Sequence, residues 1–184
     1  ETPLNPALPI IDPHLHLWDI LAQPGSPQLP HRFLFHEALD TIERSGHNIT
    51  HSVYVECHAM YRQDGPDALK PLGETEFAVG SAAMSASGGY GPRRLCHRIV
   101  GSADLLLGSG VAAVLDAHRA IAGERFRGIR CNTAYSAAGL FGFPCDPAIA
   151  GRLANPRFIE GARVLAAMGL SLDVWCLHTQ LDEL

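Results

Sequence analysis

Apolar residues along the chain gather in five short runs bounded by polar and turn-forming residues: Leu8–Asp12 (LPIID), His51–Cys57 (HSVYVEC), Leu95–Ala103 (LCHRIVGSA), Phe126–Cys131 (FRGIRC) and Leu170–Leu177 (LSLDVWCL). β-Branched and aromatic side chains are prominent in most of them, which predicts strands. The segments between them carry apolar residues at helical spacing instead. Residues 33–46 place Phe35, Leu39 and Ile42 on one face and stop at Gly46. Residues 74–86 give a weaker helical pattern, interrupted by Gly80. Residues 109–123 put Val111, Val114, Leu115 and His118 on one side and close at Gly123. Residues 155–169 open with Asn155 as cap and Pro156 at the first helical position, stack Phe158, Leu165 and Met168, and end at Gly169.

The order is strand–helix four times and then a fifth strand. Alternation of this kind implies a parallel sheet covered by helices, either a doubly wound sheet or a (β/α)8 barrel. Residues 59–73, after the second strand, and 133–151, after the fourth, are predicted loops over the strand ends. Both folds keep their chemistry in such loops.

Composition narrows the partners. A length of 184 residues fits a single domain over 1–184, with 1–9 as an extended tail. A formal net charge of −5 argues against nucleic acid. No apolar run approaches the roughly 20 residues that a membrane span needs, so no membrane partner is expected. Residues 1–9 have neither the basic nor the apolar segment of a signal peptide. The five cysteines (57, 96, 131, 145 and 176) are scattered and never form a C-x-x-C pair. That pattern disfavours a disulfide framework or a thiolate zinc site, and it fits a reducing cytoplasm. Oligomeric state stays open, a homo-oligomer included.

Candidate chemistry begins at IIDPHLHLWD, Ile10–Asp19. Residues two apart in a strand share a face, so His14 and His16 project together, with Asp12 one step below. Two imidazoles so placed either bind one divalent ion or are ordinary polar residues at a strand–loop junction. His178 shares parity with Leu172, Val174 and Cys176 at the end of the fifth strand. It is either a third group at the same mouth or a loop histidine. Glu56 and His58 share parity with Tyr54 and either line the mouth as substrate contacts or are structural. Glu74 and Glu76 open a helix, where carboxylates suit the dipole. SGGYGPRR, Ser87–Arg94, follows a helix rather than a strand, unlike a phosphate loop. His31, His36, His47, His51, His97 and His118 read as surface or packing residues.

Taken together, IIDPHLHLWD, VYVECHAMYR, GGYGPRRLCHRIVGSADL, RFRGIRCNTA, ANPRF and LDVWCLHTQL resemble, in order and spacing, the lactonase and decarboxylase branch of the amidohydrolase superfamily. The resemblance implies an α/β fold of the (β/α)8 TIM-barrel type, present here as about five βα units of the eight. It assigns His14, His16 and His178 to a catalytic centre, holding a divalent metal, zinc foremost, or working without one. It assigns Arg130 to an anionic substrate, a role its guanidinium fork suits. The implied reaction is hydrolysis of a small, carboxylate-bearing lactone, with non-oxidative decarboxylation of a hydroxy-aromatic acid as the alternative. In the family an aspartate on the eighth strand serves as general base, and no position here matches it. The expectation is therefore the N-terminal portion of a longer hydrolase, with little turnover alone; the competing reading is a catalytically incomplete half-barrel module that needs a partner.

Overall fold

The computed structural model describes residues 2–19, 32–140 and 143–184. His31 lies outside the described residues. Strands β1 (Pro9–Leu15), β4 (Asn48–Val55), β5 (Arg94–Gly101), β6 (Phe126–Asn132) and β7 (Ser171–Trp175) form one sheet in that order, and every pairing is parallel. A short antiparallel pair, β2 (Trp18–Asp19) and β3 (Arg32–Phe33), stands after β1, with the Trp18 and Phe33 rings 5.7 Å apart. Each new strand of the main sheet adds on the same side as the last. A doubly wound sheet would reverse direction once. The chain therefore builds part of a barrel wall, which resolves the alternative that alternation alone leaves open.

Helices α1 (Phe35–Ser45), α2 (Leu72–Ala86), α3 (Val111–Ala122) and α4 (Pro156–Ala167) occupy the four connections. Their ends follow local chemistry. Gly46 terminates α1 at φ 72°, and the Asn155 side chain accepts from the Arg157 N–H at the start of α4. The buried face of α3 holds Val111, Val114, Leu115 and His118, as its spacing predicts. Phe35 and Ile42 of α1, Ala78 and Ala82 of α2, and Phe158 and Leu165 of α4 join Leu15, Ile99 and Ile129 of the strands in one core. Leu105–Arg125 is long and apolar enough to cross a membrane by length and composition, a segment the search for apolar runs does not single out. In the fold it is broken at Gly108 by non-helical backbone, and its apolar side is core.

His118 is a packing residue with a titratable consequence. Its ring stacks on Phe126 at 4.9 Å, Nδ1 lies 2.8 Å from Thr75 Oγ1, and Nε2 lies 3.0 Å from the Ser102 carbonyl. The partners assign Nε2–H as donor to Ser102 and Nδ1 as acceptor from Thr75. Burial pushes the pKa down to about 4, against about 6.5 for a free histidine. The neutral ring therefore contributes stability that is present above pH 6.5 and lost as pH falls toward 4. The conversion of pKa differences to free energy puts that loss at about 3 kcal/mol. Urea unfolding from pH 7 to pH 4 should show this decline in the wild type. His118→Gln should flatten it.

Candidate active site

The site forms where β1, β4, β5 and β6 end. A bulge between Asp12 and Leu15 breaks the register of β1. The Asp12 Oδ1 accepts the His14 backbone N–H at 3.0 Å across this break. The two histidines nonetheless meet, with His14 Nε2 and His16 Nε2 2.9 Å apart and the rings edge-on. His16 Nδ1 lies 2.8 Å from the Val55 carbonyl at the end of β4. Since a carbonyl only accepts, His16 carries its proton on Nδ1 and turns its Nε2 lone pair toward His14 and Arg130. In the neutral pair His14 Nε2–H then donates to His16 Nε2. Burial lowers the His16 pKa; the Val55 hydrogen bond opposes this, and the charges of His14 and Arg130 reinforce it.

Arg130, near the end of β6, closes the group. Its Nη1 donates to the Glu56 carbonyl at 3.2 Å and lies 3.5 Å from His16 Nε2, while its guanidinium sits 5.4 Å from the Trp175 ring centroid. The Glu56 side chain is buried, with Oε1 3.9 Å from Arg130 Nε and Oε2 3.7 Å from His58 Nε2. Desolvation raises the Glu56 pKa, Arg130 opposes the shift, and Asp173 adds to it. His58 is largely exposed on the rim, its ring 5.5 Å from that of Tyr61. A cavity of about 230 Å³ opens here, bordered by Glu56, His58, Ser102, Arg130, Asn132 and Arg152 among others.

The structure thus brings together His14, His16, Glu56, His58 and Arg130. It does not bring His178 to them. Strand β7 ends at Trp175, so the parity linking His178 to Leu172, Val174 and Cys176 lapses before it. His178 opens a turn, His178–Glu183, and is exposed. Gln180 anchors that turn elsewhere: its Oε1 accepts from Tyr135 N and Leu177 N, and its Nε2 donates to the Thr133 carbonyl. Among the described residues no three His, Cys, Asp or Glu side chains converge as a metal site. The donors present match two imidazole ligand positions, with His16 oriented through its other nitrogen as metal-bound histidines are.

Sequence reasoning missed two residues. Glu74, read as a helix-start carboxylate, is buried beneath the mouth. Its Oε1 accepts from Tyr54 Oη at 2.8 Å, Cys57 N at 2.8 Å and Ala59 N at 3.2 Å. Tyr54 is consequently turned onto α2, against Phe77, and does not join Glu56 and His58 at the rim. The dipole reading does suit Glu76, which is partly exposed and pairs with Arg62. Arg152 borders the cavity from the loop before α4, where no periodicity marks it.

No family model matches the chain. It is 27% identical over 188 residues to the uncharacterized protein y4mH of Sinorhizobium fredii (strain NBRC 101917 / NGR234), an alignment covering 95% of this chain and 56% of that protein. The fold matches that of amidohydrolase 2 from Bifidobacterium longum subsp. infantis, with TM-score 0.52 and 22% identity over 96% of this chain and 55% of the other. It also matches a probable 2-pyrone-4,6-dicarboxylic acid hydrolase from Acinetobacter baumannii, solved with citric acid bound, with TM-score 0.51 and 14% identity over 89% and 48%. The chain spans about half the length of the relatives it matches. The barrel-type α/β fold expected from the sequence is that of both solved structures, over that half.

Proposed function

We propose that this chain carries the histidine end of a barrel-mouth hydrolase that opens a small anionic lactone by water attack. The observation carrying this reading is the meeting of His14 Nε2 and His16 Nε2 at 2.9 Å, beside Arg130, at the C-terminal rim of a parallel sheet. Active sites of (β/α)8 barrels occupy that rim. A fold neighbour named as a probable 2-pyrone-4,6-dicarboxylic acid hydrolase holds citric acid, and a carboxylate is the partner a guanidinium fork fits.

In this reading Arg130 binds a substrate carboxylate while Trp175 and Glu56 keep its fork in place. The Val55 carbonyl holds the His16 ring, so its Nε2 faces the reacting oxygen. The Glu56 carboxyl, buried between Arg130 and His58, lines the cavity wall beside the guanidinium. A divalent ion, zinc by ligand type, would be held by His14 and His16, and would polarise the carbonyl and acidify a water. In that version an aspartate that the resemblance assigns to an eighth strand would take the proton from the attacking water and pass it to the leaving ring oxygen. The test is a lactone panel run beside a hydroxybenzoate panel on the full reading frame, before and after chelation. Lactone hydrolysis supports the proposal, and loss of CO2 from a benzoate with no lactone opened moves it to the decarboxylase. Full activity with no bound metal removes the metal version.

A second reading has its own observation. Among the described residues the outer strands β1 and β7 are each paired on one side, and Ile11, Trp175, Leu181 and Leu184 are exposed. Open strand edges with apolar neighbours call for a covering surface. A half-barrel module completed by a partner, a second copy included, fits this. Size-exclusion chromatography of the 184-residue chain tests this reading, since a cooperative, soluble monomer argues against the need for a partner.

A further inference from the structure

Away from the rim, the N-terminal halves of β4 and β5 gather positive charge that no described carboxylate neutralises. His51 and His97 meet edge-on with ring centroids 4.9 Å apart. Arg98 Nη1 lies 3.1 Å from His97 Nε2 and donates to the His97 carbonyl at 3.2 Å, which also accepts from Arg125 Nη1 at 3.3 Å. A guanidinium only donates, so the neutral His97 ring accepts through Nε2. Burial lowers the His97 pKa, and the charges of Arg98, His51, Arg125 and Arg94 lower it further. Among the described residues no ion pair reaches any of these side chains. Arg93, beside Arg94, takes Glu43.

A bulge places this charge on the open face of the sheet. Tyr54 turns onto α2, so Val53 and His51 point to the face without helices. While β4 advances from His51 to Val53, β5 advances from Arg94 to Arg98. Cys96, buried in the bulge, holds φ 53°, and its N–H donates to Ser52 Oγ at 3.0 Å. Such a φ is costly for a residue with a Cβ, and bulges re-aim side chains. Here His97 and Arg98, neighbours that regular pleating would send to opposite faces, line one cavity of about 240 Å³ with Ile11, His51 and Val53.

The lining is mixed, and the mixture selects the occupant. A free inorganic anion would be satisfied by the cations alone and would leave Ile11, which is 65% exposed, in water. A strand brings a carboxylate together with apolar neighbours. A purely apolar cover would strip water from the cations and supply no counter-charge, which is costly. Something has to cover this face, since β1 and β7 each keep an unpaired edge among the described residues and the chain spans about half the length of its relatives.

We propose that this cationic hollow is a docking seat for the polypeptide that closes the sheet, and that this polypeptide sets an Asp or Glu side chain, flanked by apolar residues, on Arg98 and the two histidines. The inference rests on the reading of the sheet as half a barrel and names the chemistry of what completes it.

The test uses the full reading frame. Modification by diethyl pyrocarbonate, read by mass spectrometry, asks whether the face is covered: His51 and His97 should react about tenfold more slowly than the exposed His47. NMR titration should place His97 above the ordinary value of about 6.5, because a carboxylate favours the imidazolium. Arg98→Met should lower Tm by roughly 5–10 °C, since it leaves the carboxylate without its partner. Under an apolar cover the same variant would raise Tm by removing an unpaired cation, and His97 would titrate below its ordinary value. Either result, or an unmoved Tm, behind a protected face overturns the inference and leaves the half-barrel reading standing. If His51 and His97 react as fast as His47, nothing covers the sheet and both fall.

Discussion

His16→Ala is expected to lower kcat/KM for lactone hydrolysis by roughly 10³-fold, the scale of losing a positioned proton-transfer or electrostatic group. The reason lies in what the ring joins. Through Nδ1 it reads the end of β4 at Val55, and through Nε2 it touches His14 at 2.9 Å and Arg130 at 3.5 Å. Removing it takes away the acceptor of the His14 proton while Arg130 stays held by the Glu56 carbonyl, so kcat should fall more than KM rises. His16 is half-buried rather than core, and thermal unfolding of the variant should stay close to wild type. His47→Ala, at an exposed histidine before β4, serves as the control and should change neither quantity. A His16→Ala enzyme with wild-type turnover would remove the rim histidines from the mechanism.

How much of this was legible differs between fold and site. The helices fall where periodicity and caps place them, because Gly46, Asn155 and Pro156 act locally. The parallel sheet follows from alternation, whereas its one-directional order does not, since strand order depends on contacts between distant residues. The H-x-H pair was legible as a pair. Its parity argument was not sound in detail, because the bulge after Asp12 breaks the alternation that the argument assumes. The parity argument for His178 lapses likewise, because β7 ends at Trp175 and His178 opens a turn beyond it. Glu74 was opaque for another reason: a carboxylate in a first helical turn always has a dipole explanation, and only the approach of Tyr54 and the Cys57–Ala59 backbone reveals its second role.

That role carries a large stability effect. Glu74→Leu is expected to cost about 3–5 kcal/mol, because it leaves two backbone N–H groups without an acceptor and the buried Tyr54 phenol with only the Leu17 carbonyl at 3.5 Å. Glu74→Gln should cost only about 1 kcal/mol, since the amide oxygen replaces Oε1. Glu74 Oε2 is buried without a partner, and burial is the main cause of a raised pKa. Both features fit a carboxyl held toward its neutral form, which an amide mimics well. The loss reaches the rim because of the loop's backbone. His58 and Met60 hold φ values of 63° and 56°, a region costly for residues with a Cβ. The two N–H groups that Glu74 binds, at Cys57 and Ala59, flank His58. Gly73 helps by admitting the Met60 carbonyl, where any Cβ would press on it. The carboxyl therefore compensates the strain that presents Glu56 and His58 to the cavity. Urea unfolding should rank wild type, Gln and Leu in that order. Hydrogen exchange at Ala59 should accelerate in Glu74→Leu even where the global fold persists. Equal stability of the Leu variant, or unchanged Ala59 protection, would place the control of this loop elsewhere.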